Sequence, residues 1–222
     1  MIDARLRVMP TRVTNAMRPR SIILPLALLV SGCARQVYTT SPAAAPRRAS
    51  VGGSRGVVAT VSPLSSSETV NYILGRGLLV PVSGVVVSQL SDTFDEGRDG
   101  GRVHRALDIL APRGTPVLSA DDGRILRIRP NALGGNTVYA TDPLGRVVYY
   151  YAHLDAYQPG LVEGATIVRG DVLGTVGTTG NAPKDTPHLH FQVMRMPADG
   201  KYWDGDAINP YPLFLLMHAA RP

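Results

Sequence analysis

The sequence has a single cysteine, few aromatic residues and none of the patterns that mark long helices or nucleotide sites. Cys33 is the only cysteine among 222 residues, so no disulfide can form within the chain. Aromatic residues make up only 6%, whereas 23 Gly and 18 Pro indicate many turns and short elements. We find no internal repeat, no heptads and no phosphate-binding loop. These absences exclude a disulfide scaffold, a coiled coil and a P-loop enzyme.

The positive charge of the chain is concentrated near its start. The net charge is +6, from 23 basic and 17 acidic residues, and residues 1–32 hold five of the basic and one of the acidic residues. The remainder has 18 basic and 16 acidic residues, a net charge of +2. It contains no basic patch interleaved with aromatic residues, so we expect no nucleic-acid partner.

Residues 1–32 have the composition of an export signal. Five arginines precede an apolar stretch at 21–30 that is too short to span a bilayer as a mature helix. The following "VSGC" resembles a bacterial lipobox, whose cysteine receives lipid. A buried helix with an incidental thiol would leave the arginines unexplained. We therefore predict a signal peptide at 1–32 and an exported protein that faces the periplasm, lipid-anchored through Cys33. Ala34 after the cysteine favours the outer membrane.

The segment after this anchor, residues 33–67, is mainly Ala, Pro, Ser, Thr, Gly and Arg. Such a composition buries too little apolar surface to order itself, so we predict a flexible tether that reaches on the order of 30 Å. A short helix is expected at 68–74, preceded by serines that can cap it and followed by glycines. The domain that remains is expected to span residues 68–222.

Beyond Pro81 the sequence changes to short apolar or alternating runs separated by turn residues. Alternation with β-branched residues predicts strands, and pairs such as Asp-Gly and Gly-Gly mark the turns. The predicted strands are "VVVSQL", "RALDIL", "PVLSA", "GRILRIRP", "NTVYAT", "VVYYYAHL", "TIVRG", "VLGTVG" and "HLHFQVM". The pattern favours an all-β or β-rich fold.

Four of the five histidines lie in three short stretches of this region. A strand would place His188 and His190 of "TPHLHF" on one face, about 6.6 Å apart. An extended chain would likewise present His104 and Asp108 of "HRALD" on one face. Each pattern alone is more often structural than functional. Two imidazoles and a carboxylate together match the ligands of a catalytic zinc, and also those of a non-haem iron site.

The surroundings of these residues resemble the lysostaphin-type, or LytM-type, zinc metallopeptidases that cut peptidoglycan cross-bridges. The matching stretches run in order through about residues 80–210: "PVSGVVVSQL", "HRALDILAPRGTPVLSADDGRI", "GGN", "YYAHLD", "VRGDVLGTVGTTGN" and "TPHLHFQVM". The HExxH motif of other metalloproteases is absent. The resemblance implies an antiparallel all-β fold with an open groove and few short helices (the duplicated hybrid motif). It also implies a zinc endopeptidase acting on peptidoglycan peptides, and it favours zinc over iron.

The resemblance, rather than the spacing, assigns the roles. It implies that His104, Asp108 and His190 bind Zn²⁺, and that His153 and His188 are the catalytic histidines.

Two positions depart from the family pattern, and two others have structural interpretations. Ala106 stands where the family usually has glycine, and Gln192 where many relatives have glutamate; neither change removes a functional side chain. Tyr151 is expected to line the cleft, and His218 to be a surface or packing residue.

A second function stays open at this point. Some relatives of this fold have lost the metal residues and act as envelope lipoproteins that activate a cell-wall amidase, and fold alone does not fix function. All the metal and catalytic side chains are present here. We therefore expect a zinc metalloendopeptidase, with an amidase partner only if the protein is catalytically silent.

Overall fold

The computed structural model of the chain describes residues 64–220. The predicted signal peptide, Cys33 and most of the predicted tether lie outside these residues. The described helices are α1 (Ser66–Arg76) and α2 (Pro210–Ala219), with short 3₁₀ turns at Val87–Gln89 and Asp99–Gly101. The described strands are β1 (Gly97–Arg98), β2 (Arg102–Val103), β3 (Leu107–Leu110), β4 (Pro116–Leu118), β5 (Gly123–Asn131), β6 (Gly135–Thr141), β7 (Val147–Tyr157), β8 (Thr166–Ile167), β9 (Val172–Val176), β10 (His188–Arg195) and β11 (Asp206–Ile208).

Nine of these strands form one antiparallel sheet. Its main path runs β11-β10-β7-β6-β5-β8, while β3 pairs with β10, and β9 pairs with β4 and β7. Strands β1 and β2 pair with each other in a separate hairpin. The predicted all-β, mainly antiparallel fold is therefore confirmed.

The central strand β7 is buried on both faces. Tyr149 and Tyr151 belong to the main hydrophobic core, whereas Val148, Tyr150 and Ala152 belong to a smaller cluster. Successive side chains of a strand point to opposite faces, so the smaller cluster lies on the other side of the sheet from the main core. This second face of the sheet carries the candidate site.

Helix α1 forms where the sequence predicts a helix, and it extends slightly beyond the predicted ends. Ser65 and Glu68 form a capping box at its start, and Gly77, with a φ of 70°, ends it. In its last turn, Arg76 donates two hydrogen bonds to the buried carboxylate of Asp121, at 2.6 and 2.7 Å. The helix is thus fixed to the domain by a buried ion pair.

The stretch "VVVSQL" is not a strand, although its valines predict one. Val87–Gln89 forms a 3₁₀ turn, and the side chain of Gln89 accepts a hydrogen bond from the backbone N–H of Val86 at 2.8 Å. Local capping therefore outweighs β propensity where no partner strand is adjacent. Helix α2 was not predicted either; Asn209 caps it and Pro210 occupies its first turn. Within residues 64–220, neither helix combines the length and hydropathy that crossing a membrane requires.

Candidate metal centre and groove

Three neighbouring strands place functional residues in one row. Asp108 on β3 is opposite His190 on β10, and His190 is opposite Ala152 on β7. The residues that flank this pair along the chain, such as Leu107 and Phe191, are buried in the main core. Alternation therefore directs Asp108 and His190 to the other face of the sheet. The strand register thus brings "HRALD" and "TPHLHF" together.

His104 joins this pair from outside the sheet. The extended geometry expected between His104 and Asp108 is wrong, because Arg105 has a φ of 59° and β3 begins only after the fully buried Ala106. A left-handed residue other than glycine is uncommon, and here it turns the chain between the two functional residues. Thr93 supports both: its carbonyl accepts from His104 Nδ1 at 2.8 Å, and its hydroxyl accepts from the Asp108 backbone N–H at 2.9 Å.

The candidate ligand atoms form a nearly equilateral triangle. His104 Nε2 lies 2.9 Å from His190 Nδ1 and 3.0 Å from Asp108 Oδ1, and His190 Nδ1 lies 3.1 Å from the same oxygen. A tetrahedral zinc ion with ligands at 2.0–2.1 Å holds neighbouring ligand atoms about 3.3 Å apart. Because His104 Nδ1 donates to a carbonyl, the lone pair of its Nε2 faces the triangle, as in zinc sites. Among the described residues, this group fits a metal ion.

The electrostatics of the triangle also suit a metal. Burial disfavours the charge on Asp108, but hydrogen bonds and charges from His104 and His190 outweigh it and hold the Asp108 pKa well below its usual range. Burial lowers the pKa of His190, although the Asp108 carboxylate opposes that shift. An ionised carboxylate beside a neutral imidazole is the protonation state that a metal ligand set requires.

His153 reaches the same face through a β-bulge. The register between β6 and β7 shifts, so that Ala152 and His153 oppose the single residue Thr137. His153 has a φ of 61°, and without the bulge its side chain would point into the main core. Its backbone N–H donates to the Gly134 carbonyl at 2.7 Å, and its Nδ1 donates to the Thr179 carbonyl at 2.8 Å. Burial lowers the pKa of His153 to about 4.

His188 lies beside His153 at the edge of the triangle. Its Nδ1 donates to the Thr186 carbonyl at 2.8 Å, and its Nε2 is 3.7 Å from Asp108 Oδ1. The ring centroids of His153 and His188 are 5.0 Å apart. The structure therefore brings together all five histidine and aspartate residues that the sequence analysis selected.

A groove of about 830 Å³ runs over these residues. Tyr150 lines it, with its ring centroid 6.0 Å from that of His190. The expectation that Tyr151 lines the cleft is wrong: alternation places it in the core, where its hydroxyl accepts from the Ala120 backbone N–H at 2.9 Å. His218 is exposed on α2, away from the groove lining.

Three supporting residues have roles that the sequence analysis missed. Arg98 donates to Asp108 Oδ2 at 2.6 Å, Thr93 supports both His104 and Asp108, and the Gln192 amide donates to the Arg105 carbonyl at 3.0 Å. No local signal could have found Arg98 or Thr93, because they lie in turn-rich sequence upstream of the motifs.

The sequence has relatives among known peptidases. Residues 102–210 match Peptidase family M23. The L-Ala--D-Glu endopeptidase of Bacillus subtilis is 32% identical over 121 residues, which are 52% of this chain and 36% of that protein. The DD-carboxypeptidase/endopeptidase Mpg of Neisseria meningitidis is 39% identical over 114 residues, which are 51% of this chain and 23% of that protein. The chain thus covers only 23% to 36% of the length of these two curated relatives.

A solved structure shows the same fold. The protein described as glycyl-glycine endopeptidase lytM from Ruminococcus gnavus is 30% identical, with a TM-score of 0.50, over 60% of this chain and 55% of that chain. The segment that matches the family contains the ligand triangle and also His153 and His188. Residues 102–210 therefore form a domain of Peptidase family M23, the LytM-type peptidases.

Proposed function

We propose that this protein is a zinc metalloendopeptidase that hydrolyses peptide bonds in the stems or cross-links of peptidoglycan. The observation that carries the proposal is the triangle of His104, Asp108 and His190, with His153 and His188 beside it, inside an M23 domain. A silent regulator would have no need of this complete set.

The ligand triangle and the two histidines supply complementary chemistry. Zn²⁺ held by His104, Asp108 and His190 would polarise the scissile carbonyl and acidify a water molecule. His153 and His188 each have the Nδ1–H bound to a backbone carbonyl, so Nε2 is the nitrogen that exchanges protons with the substrate.

The two histidines can divide the proton transfers between them. A neutral imidazole accepts the proton of the attacking water at Nε2, and an imidazolium Nε2–H stabilises the oxyanion or protonates the leaving amine. Burial lowers the pKa of His153 to about 4, so His153 is neutral at pH 7 and suited to accept a hydrogen bond.

The groove fits an extended peptide. It is open to solvent, and Leu110 and Leu133 on its rim are 65% and 53% exposed, so they offer apolar contacts to substrate side chains. The relatives are named for different bonds, an L-Ala–D-Glu bond in one and a glycyl-glycine bond in another. We therefore assign peptidoglycan peptides as the substrate class and leave the scissile bond to experiment.

The deciding experiment is digestion of purified peptidoglycan by the chain from Ala34 onward, which lacks the predicted lipid site. Released muropeptides are identified by mass spectrometry, with chelator and with added zinc. We expect new peptide-bond products that vanish with chelator and return with zinc. If folded, zinc-loaded protein releases nothing, the endopeptidase proposal fails, and stimulation of a purified cell-wall amidase becomes the next assay.

We also propose that the protein is exported and anchored by lipid on Cys33, facing the periplasm, on the outer membrane. The basic lead, the short apolar stretch and the "VSGC" sequence support this proposal. Metabolic labelling with a fatty-acid analogue should modify the unaltered chain and not the Cys33→Ser variant, and fractionation should find the labelled chain in the outer membrane. Equal labelling of both would refute the anchor.

A further inference from the structure

The two carboxylate oxygens of Asp108 face different groups. Oδ1 is one corner of the ligand triangle, 3.0 Å from His104 Nε2 and 3.1 Å from His190 Nδ1. Oδ2 accepts a hydrogen bond from the guanidinium of Arg98 at 2.6 Å. A hydrogen bond between two charged groups is shorter and about twice as strong as one between neutral groups. Arg98 therefore holds the oxygen that the triangle does not use.

Arg98 lies on the β1–β2 hairpin, which forms one wall of the groove. The base of this hairpin is fixed to the chain around the first ligand. The backbone N–H of His104 donates to the Glu96 carbonyl at 2.9 Å, and that of Arg105 donates to the carbonyl of the buried Phe94 at 2.8 Å. The segment that ends in the ligand His104 thus also carries Arg98, which holds the ligand Asp108.

The other supports of Asp108 act on its backbone. The hydroxyl of Thr93 accepts from the Asp108 N–H at 2.9 Å, and pairing with β10 fixes the strand. Neither contact restricts rotation of the carboxylate. The hydrogen bonds described for the carboxylate join Oδ1 to the ligands His104 and His190, and Oδ2 to Arg98. Because Arg98 is not itself a ligand, its hydrogen bond selects which oxygen of Asp108 faces the other two ligands.

The positive charge of Arg98 would by itself repel a metal ion, so its net effect depends on two opposing contributions. Glu96 offsets the charge, because its Oε2 lies 3.6 Å from the same guanidinium nitrogen. Side chains of Arg98 and Glu96 are 36% and 51% exposed, and solvent screens what remains of the repulsion. Glu96 and solvent weaken the repulsion between Arg98 and a metal ion, but they do not oppose the hydrogen bond by which Arg98 orients Asp108.

We propose that Arg98 is a positioning residue that presents Asp108 to the metal through Oδ1 alone. The inference rests on the proposed function only in taking zinc as the metal. A carboxylate that binds through one oxygen leaves room in the coordination shell for water or substrate. Outer partners of metal ligands typically account for about 10- to 100-fold in metal affinity.

The test is the zinc dissociation constant of the whole chain purified in detergent, measured by competition with a chromophoric chelator. We expect Arg98→Gln to bind zinc about 10- to 100-fold more weakly. Arg98→Lys keeps a charged donor without the planar fork and should recover part of the loss. The matched control is Arg127→Gln, which removes an arginine from a surface pair with Glu163 outside the groove lining.

Absorption of the Co²⁺-loaded chain gives a second readout that a merely structural role would not change. Cobalt absorbs more weakly with five or six ligands than with four, so Arg98→Gln should lower the visible absorption as Asp108 becomes free to use both oxygens. Zinc affinity equal to or higher than that of the unaltered chain, in a folded Arg98→Gln variant, overturns the role of Arg98. If the unaltered chain itself binds no zinc, the proposed metal centre fails instead.

Discussion

At the scale of single residues, His190 gives the sharpest test of the metal centre. It supplies one corner of the triangle, and two donors are too few for a stable zinc site. We expect His190→Ala to weaken zinc binding by at least about 100-fold, more than the loss of a supporting residue, and to abolish hydrolysis of peptidoglycan. His218→Ala, an exposed histidine outside the groove, is the matched control. Zinc-dependent hydrolysis that survives in His190→Ala would refute the assignment.

His153 predicts a pH dependence of stability in the chelator-treated protein. Its pKa is about 4 in the folded chain, against 6.5 as the ordinary value. Between these values the unfolded chain binds more protons than the folded one, so stability falls as pH falls from about 6.5 to 4, by up to about 3 kcal/mol. Urea unfolding at several pH values should show this slope, and His153→Gln should make it shallower without removing it, because burial also lowers the pKa of His190. Parallel curves for the two proteins would contradict the burial argument.

The sequence predicted which side chains belong to the site, but not how each reaches it. His188 and His190 followed from simple alternation along a strand. His153 did not, because a bulge rotates it out of the core, and a bulge depends on the partner strand rather than on local sequence. Alternation of side chains along β7 places Tyr150 in the groove and Tyr151 in the core, so the prediction that Tyr151 lines the groove was wrong.

At the scale of elements, two loops that meet behind His153 determine its position. Gly180 has a φ of 71°, and a Cβ on it would lie 2.3 Å from the backbone nitrogen of Gly135. We expect Gly180→Ala to destabilise the domain by about 2–5 kcal/mol, from left-handed strain plus overpacking. It should also reduce hydrolysis more than zinc affinity, because this loop supports His153 rather than the ligands.

The matched control for that substitution is Gly160→Ala. Gly160 also has a positive φ, 82°, but no atom lies within 4 Å of the Cβ that it would gain. The strain alone should cost about 1–2 kcal/mol. Equal losses of stability in the two variants, measured by urea unfolding, would show that the close approach of the two loops is unimportant.

Local sequence patterns predicted most of the strands of the sheet, as well as helix α1. Alternating strands such as β7 and β10 and the capped helix α1 carry their signals in their own residues. The stretch "VVVSQL" carries a strand signal without a partner strand, so it forms a turn. The β1–β2 hairpin has two-residue strands in a stretch rich in Gly and charged residues, which gives no periodic signal, and with it Arg98 was missed.

At the scale of the whole molecule, the site is a product of topology. Its residues come from the turn before β3, from β3, from the bulge in β7 and from β10, and long stretches of chain separate them. Spacing alone could pair His188 with His190, but only the order of strands β3, β10 and β7 places Asp108, His190 and Ala152 side by side. The resemblance to a family implied in advance that these ligands act together, which residue patterns by themselves could not.

This assembly from distant segments couples zinc binding to the stability of the whole domain. The unfolded chain does not hold His104, Asp108 and His190 together, so zinc binds mainly to the folded state. Free zinc at about 1,000 times the dissociation constant should add about 4 kcal/mol to the free energy of unfolding. For a domain of this size, that corresponds to a rise in Tm of roughly 8–16 °C over chelator-treated protein. Calorimetry should show the full rise for His218→Ala and no more than about a third of it for His190→Ala, because 100-fold weaker binding leaves a stabilisation of about 1.4 kcal/mol. An equal rise in both variants would place the stabilising metal outside the triangle, because only one of the two has lost a ligand.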